Sequence, residues 1–142
     1  MGSVEPSRES LLRQALARLE EALTRPEDAI VRDASIQRFE FTFEMAWRAI
    51  QAHARRHGLD CQSPRECVRM AFRLGLIERD SRWLAMVEDR NRAVHLYDED
   101  SAREVFRALT DYAAMFRELL VRLKAAETQA DHEAGPGAGG DD

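Results

Sequence analysis

Arg90 and His95 are the two side chains of this sequence whose types and spacing best suit chemistry on a phosphate ester. A histidine with an unperturbed pKa of about 6.5 can take a proton from a ribose 2′-hydroxyl or give one to the leaving 5′-oxygen. A guanidinium can bind the scissile phosphate through two parallel hydrogen bonds and stabilise the charge that develops on it. Such a pair needs no metal ion. The alternative is structural: an ion pair of Arg90 with the adjacent Asp89, and a histidine that caps a helix end.

The geometry of a helix decides how these side chains could act together. Residues 83–88 form an amphipathic run that predicts a helix continuing into the Arg90 region. On that helix Asn91 and His95, four residues apart, share a face, so Asn91 could support RNA binding beside the catalytic His95. Arg90 and His95 are rotated from each other by about 140°, so they would flank a cleft from its two edges.

The residues from Arg90 to Tyr97 are called here the Arg90 corner. Apolar spacing and turn residues predict five helical stretches in the chain that positions it. We expect an all-α, up-and-down bundle of four to five helices that is dimeric. The predicted helices cover about residues 7–23, 24–57, 63–74, 83 through the motif, and 99 or 102 to 126. Thr24 and Glu27 have the capping-box spacing for the start of the second helix. Ser63 should cap the third helix, which should end in a Schellman-type closure at Gly75.

The second helix contains the main ambiguity of the sequence. Phe39, Phe41 and Phe43 alternate with polar neighbours as in a strand, but the segment also carries apolar residues at helical spacing. No glycine or proline interrupts residues 27–57, which is too long for a strand. We therefore predict a central, buried helix whose aromatic residues, with Trp47, form the core. Because the apolar surface exceeds one face, part of it could serve a dimer or partner contact.

Charge and composition indicate which part of the chain folds and which kinds of partner it can bind. Of its 142 residues, 1–6 and 127–142 are predicted to be disordered, and 7–126 should form one domain. The formal net charge is −5. The last sixteen residues carry five acidic side chains and no lysine or arginine, so the remaining body is formally neutral. Such a body excludes nonspecific nucleic-acid binding, and any RNA contact must be local. The absence of a long apolar run indicates a cytoplasmic protein with no membrane segment.

Two pairs of residues raise the question of a disulfide or a metal site. Cys61 and Cys67 lack paired Cys-x-x-Cys spacing, and we expect free thiols in a reducing cytosol. His53 and His57 have a spacing that can hold zinc, but two adjacent arginines would repel the ion and no third ligand stands out. A solvated helix end is the favoured interpretation. The sequence therefore predicts no metal site and no cofactor.

The pattern Arg-x4-His-x-Tyr, formed by Arg90, His95 and Tyr97, resembles the signature of the HEPN superfamily. Within it the chain looks most like nucleotidyltransferase substrate-binding proteins and the related HepT-type toxins. The resemblance covers roughly residues 10 to 125, and three further stretches agree in order: Gln37–Glu44, Ser63–Arg65 and Ala71–Ile77. The chain departs from the family at Val94, where a small hydroxyl residue is common.

The resemblance implies a small subunit that pairs, as a homodimer, with a separate minimal nucleotidyltransferase. It implies as an alternative an active, metal-independent endoribonuclease toxin that the partner silences by transferring adenylate to Tyr97. Tyr97 could also be a core or dimer aromatic. Tyr112 should be shielded within the apolar stripe of the fifth helix, so it is a poor acceptor. The third alternative is a purely structural helical dimer, in which the motif is a coincidence.

Overall fold

The computed structural model describes residues 6–93 and 98–133, with side chains up to residue 129. These ranges fold into helices without a strand, which confirms the predicted all-α, up-and-down bundle. The helices are α1 (Arg8–Leu23), α2 (Ala29–Arg56), α3 (Pro64–Arg73), α4 (Arg82–Ala93) and α5 (Glu99–Glu133). Within these ranges, none of the helices combines the length and the apolar character that a bilayer-spanning segment needs.

Helix α2 lies at the centre of the bundle and packs against all four other helices. Its helical conformation places Phe39 and Phe43 in the core, where both are almost fully buried. The Phe39 ring stacks on Tyr112 of α5, with ring centroids 5.5 Å apart. The prediction that Phe41 belongs to the core is wrong, because the side chain is 55% exposed. On a helix, Phe41 is rotated by about 200° from each neighbouring phenylalanine and cannot share their face.

Asp28, and not Thr24, caps the start of α2. The Asp28 backbone is extended, so its carboxylate can accept a hydrogen bond from the backbone N–H of Val31 at 2.8 Å. Thr24 instead follows the last residue of α1 as its C-cap, with a helical backbone, and its hydroxyl donates to the carbonyl of Glu21 at 2.7 Å. The predicted capping box at Thr24 is therefore wrong, and α2 begins five residues later than expected.

The predicted boundaries of α3 are confirmed. The Ser63 hydroxyl accepts a hydrogen bond from the N–H of Glu66 at 3.2 Å, and Pro64 occupies the first turn. At the other end Gly75 has a φ of 76°, and Leu76 donates to the carbonyl of Ala71 at 2.8 Å. This is the Schellman closure, which requires a left-handed residue where glycine stands.

Cys61 and Cys67 form a disulfide, so the expectation of free thiols is wrong. The capped start of α3 turns the chain back on itself and brings the two Cα atoms to 5.2 Å. Both cysteines are buried, and the amide of Gln51 donates to the Cys61 carbonyl at 2.7 Å. The bridge therefore fixes the α2–α3 connection from within the core.

Helix α5 extends to Glu133, seven residues beyond the predicted end at Ala126. Alanine, glutamate and glutamine favour helix, and no glycine or proline occurs between Ala126 and Gly135. The first part of the segment predicted to be disordered is thus helical. Residues 1–5 and 134–142, also predicted to be disordered, lie outside the described residues.

Candidate functional site

Arg90 is held on the inner side of α4, facing α2. Met86 and Val87 are buried one turn earlier, at four and three residues from Arg90, so the helix turns Arg90 towards the bundle. Its Nη2 donates to Oε1 of Glu44 at 3.1 Å. The two side chains are 31% and 27% exposed, which places the pair at the edge of the bundle where solvent and ligands can reach it.

Glu44 is itself fixed by two neighbours on α2. Its carboxylate accepts hydrogen bonds from Trp47 Nε1 at 3.2 Å and from Arg48 Nε at 3.0 Å. Partial burial alone would raise the pKa of Glu44, but these hydrogen bonds and the charges of Arg48 and Arg90 outweigh it and lower the pKa. Glu44 therefore stays ionised at neutral pH and gives the Arg90 guanidinium a defined position. Trp47 is buried and anchors this network to the core.

Asp89 does not pair with Arg90, which corrects the structural alternative drawn from the sequence. The hydroxyl of Tyr112 donates to Asp89 Oδ2 at 2.6 Å. Tyr112 is 4% exposed, as predicted for a residue in the apolar stripe of α5. Burial, followed by the hydrogen bond to Asp89, raises the pKa of Tyr112.

Asn91 follows Arg90 and is exposed, with its side-chain oxygen 3.5 Å from Arg90 Nη1. Its position suits a polar contact to a ligand at the guanidinium. His95 and Tyr97, the other predicted site residues, lie outside the described residues, as does Val94. Their roles therefore stay predictions, whereas Arg90 and Asn91 have defined surroundings.

A polar cavity of about 420 Å³ is lined by α2, by Ala93 at the end of α4, and by Asp98 and Glu99 at the start of α5. Its wall on α2 includes Gln37 and Glu40. Burial raises the pKa of Glu40, and the charge of Arg90 acts in the opposite direction. The electrostatic influence of Arg90 therefore extends along α2 from Glu44 to Glu40, one turn apart.

Arg32 of α2 also lines this cavity. Its guanidinium is largely buried and pairs with Glu27 at 2.8 Å and with Glu99 at 3.7 Å. These contacts tie the start of α2 to the start of α5.

His53 is buried at 4% exposure, so the interpretation of both histidines as a solvated helix end is wrong for this residue. Its ring centroid lies 4.6 Å from that of His57. Burial, followed by the charges of His57 and Arg56, lowers the pKa of His53 and favours the neutral imidazole. Over the described ranges, no three His, Cys, Asp or Glu side chains come together as a metal site.

The sequence did not identify Glu44 as the partner of Arg90. Its spacing from Arg48 predicts an ion pair within α2. Nothing in one sequence, however, connects Glu44 with a residue 46 positions away. The contact between Tyr112 and Asp89 could not be predicted from the sequence for the same reason, because it depends on how α4 packs on α5.

Comparison with known proteins shows the family to which this sequence belongs. Residues 7–125 match the family described as nucleotidyltransferase substrate binding protein like. A Haemophilus influenzae protein named probable ribonuclease HepT is 27% identical over 103 residues, which cover 69% of this chain and 70% of that protein.

Two solved structures share the fold. A crystal structure of a Thermus thermophilus protein superposes with a TM-score of 0.74 at 43% identity, covering 79% of this chain and 98% of that one. A Haemophilus influenzae structure, described as revealing the fold of a substrate binding domain of a nucleotidyltransferase, has a TM-score of 0.73 at 23% identity. That alignment covers 82% of this chain and 98% of the other. With the family match spanning nearly the whole bundle, the chain belongs to the nucleotidyltransferase substrate binding protein like family.

Proposed function

We propose that this chain is a cytoplasmic small subunit that binds a separate minimal nucleotidyltransferase. The observation that carries the proposal is the family match over residues 7–125, which spans all of α1 to α4 and most of α5. The Haemophilus influenzae structure described as a substrate binding domain of a nucleotidyltransferase has the same fold.

A homodimer fits the exposed apolar side chains of α2. Ile30 and Phe41 are 78% and 55% exposed, and their separation of eleven residues puts them within about 20° of each other on a helix. Glu44 lies on the adjoining face, so a two-fold contact along this stripe would bring two Arg90 corners near one shared cleft.

The second candidate is a metal-independent endoribonuclease, as the name of the Haemophilus influenzae relative suggests for that protein. The observation that favours it is the Arg90–Glu44 pair, which orients a guanidinium at an accessible edge before any ligand arrives. Arg90 would bind the scissile phosphate, His95 would transfer the proton, and Asn91 would support the RNA.

In this second candidate the partner would silence the enzyme by adding adenylate to Tyr97. The new phosphodiester would occupy the free donors of Arg90 and raise the pKa of His95 while filling the cleft. Inhibition would then need no change of fold. A purely structural dimer remains the third alternative, and it requires neither partner binding nor cleavage.

Coexpression with a minimal nucleotidyltransferase, to be sought first in the adjacent reading frame, tests the first candidate. We expect the two proteins to copurify as a complex of defined stoichiometry, and separate elution would contradict this candidate.

RNA cleavage by the purified chain tests the second candidate, the endoribonuclease. An Arg90→Ala, His95→Ala double variant should be inactive, whereas Arg92→Ala, which removes an arginine paired with Glu104, should keep its activity. If the chain neither forms a complex with the nucleotidyltransferase nor cleaves RNA, the purely structural dimer is the alternative that remains.

A further inference from the structure

A second surface of the bundle has the chemistry of a ligand site and is separate from the Arg90 corner. It is a groove of about 700 Å³ between α3, the chain from Ile77 to Ser81, and the start of α4, which we call the α3–α4 groove. Val68, Trp83 and Leu84 give it a mainly apolar floor. Its size lies within the range of about 300–1,000 Å³ typical of small-molecule sites.

The rim of the α3–α4 groove combines an aromatic ring with arginines. Arg69, Phe72 and Arg73 stand at positions i, i+3 and i+4 of α3, so they share one face, and all three are exposed. Arg79 comes from the other side and places its guanidinium carbon 5.6 Å from the centroid of the Phe72 ring. This distance is within the range of a cation–π contact.

The acidic side chains of the groove pair with arginines that lie outside its rim, and each of these arginines also contacts a second carboxylate: Arg82 contacts Asp111 at 3.9 Å, and Arg122 contacts Glu118 at 2.9 Å. Asp80 pairs with Arg82 at 2.7 Å, and Glu78 pairs with Arg122 at 2.5 Å. Among the residues that the structure describes, Arg69, Arg73 and Arg79 have no carboxylate partner. A chain with a net charge of −5 thus places three arginines without a carboxylate partner around one exposed phenylalanine. Such a rim attracts an anion.

We propose that the α3–α4 groove binds a nucleoside phosphate. The base would take the place of the Arg79 guanidinium over the Phe72 ring, and the phosphate would be held by Arg69, Arg73 and the displaced Arg79. Guanidinium groups bind phosphate through paired hydrogen bonds, and an aromatic face accepts any base. An acidic peptide would satisfy the arginines, but it would leave the flat surface of the ring without a matching partner.

The ligand is either a free nucleotide or one unit of a single-stranded RNA. Leu84, in the groove, precedes Arg90 by six residues, or about 9 Å along α4. Leu84 and Arg90 also lie about 120° apart around α4, so an RNA strand that touches both sites must curve around the helix. The choice of RNA rests on the proposed function, whereas nucleotide binding as such does not. The groove would then guide the strand to the Arg90 corner.

Binding measurements on full-length Arg90→Ala protein test the proposal without interference from cleavage. One arm follows the fluorescence anisotropy of a labelled ten-nucleotide RNA, and the other titrates ATP by calorimetry. Tighter binding of the RNA identifies a strand, and binding of ATP alone identifies a free nucleotide. In either arm we expect Arg69→Gln, Arg73→Gln together to weaken binding at least tenfold. Phe72→Leu, which keeps apolar volume but removes the ring, should weaken it about tenfold.

The matched control is Arg8→Gln, Arg25→Gln, which removes the same charge from two exposed arginines outside the groove. It should bind as the parent does. For RNA, the slope of log affinity against log salt should become shallower by about 1.4 in the groove variant, or 0.7 for each lost phosphate contact. Equal weakening by the control, unchanged binding by Phe72→Leu, or binding only of a polyglutamate peptide would each overturn the proposal. Helical content measured by circular dichroism verifies that every variant is folded.

Discussion

The hydroxyl of Tyr112 donates a 2.6 Å hydrogen bond to Asp89, the residue immediately before Arg90. Consecutive residues of α4 are thereby anchored to different helices, Asp89 to α5 and Arg90 to Glu44 of α2. Successive side chains on a helix point about 100° apart, which allows this division. The orientation of the Arg90 guanidinium is thus set from two sides of the bundle.

Tyr112→Phe should lower the free energy of unfolding at pH 7 by about 1–2 kcal/mol, because Asp89 loses its donor. The pKa of Tyr112 is raised in the folded state, above about 10 in the unfolded chain. The stabilisation from the neutral phenol is therefore complete below pH 10 and is lost as the pH rises further. Urea unfolding from pH 7 to 11 should show the difference between wild type and variant shrinking above pH 10. Tyr97→Phe provides the matched control, and an equal loss in that variant would contradict the assignment.

Glu44→Gln should reduce any RNA cleavage by about tenfold or more, because a neutral amide holds the Arg90 guanidinium less firmly than a carboxylate does. Glu104→Gln removes the carboxylate that pairs with the neighbouring Arg92 and serves as the control. Initial cleavage rates of both variants, measured over a range of RNA concentrations, make the comparison. If the two variants are equally active, Glu44 does not position Arg90 for catalysis.

His95→Ala should abolish ribonuclease activity while helical content and melting temperature change little. The expectation follows from the motif, because a polar side chain near a helix end contributes little packing. Activity of the wild type should persist in EDTA, since a histidine and an arginine can supply the proton transfer and the charge stabilisation. Cleavage that depends on added magnesium, or that survives in the variant, would be incompatible with this mechanism.

Phe41→Glu should convert the proposed homodimer to a monomer at micromolar concentration, since it places a charge in the centre of the exposed stripe of α2. Val121→Glu makes the same change at a side chain on α5 that is 59% exposed, and it should leave the dimer intact. Light scattering coupled to gel filtration gives both masses. A wild-type protein that elutes as a monomer would refute the dimer altogether.

Adenylation by a nucleotidyltransferase partner should occur on Tyr97 and not on Tyr112. The hydroxyl of Tyr112 is buried and already donates to Asp89, so it is not available to a second active site. Intact mass spectrometry after coexpression should detect an adenylate-sized increase that disappears in Tyr97→Phe. An increase that survives the substitution, or none in either protein, would falsify the proposal.

Much of the fold could be predicted because its signals are local. The helical spacing around Phe39 and Phe43 outweighed the strand-like alternation, and Ser63 and Gly75 mark the ends of α3 through short-range hydrogen bonds. The errors at Thr24 and Ala126 are also local. Two capping residues competed at one turn, and a favourable composition carried α5 past its last core side chains.

The parts that could not be predicted depend on packing between helices. The partner of Arg90 is 46 residues away in sequence, and the burial of His53 depends on neighbouring elements rather than on its own helix. The disulfide between Cys61 and Cys67 arises where a capped turn reverses the chain, a geometry that spacing alone does not reveal. The motif residues of α4 could be identified in the sequence, but the network that orients Arg90 could not.

The length of helix α5 provides a scale for the size of any protein that binds along it. It begins at Glu99, beside the candidate site, and Glu127 lies 28 residues later, or about 42 Å along the axis. A binding protein whose footprint includes both positions must therefore extend over some 40 Å, whereas a compact partner can shield only one end. Protection mapping along this single helix would accordingly report the size and the placement of whatever the chain binds.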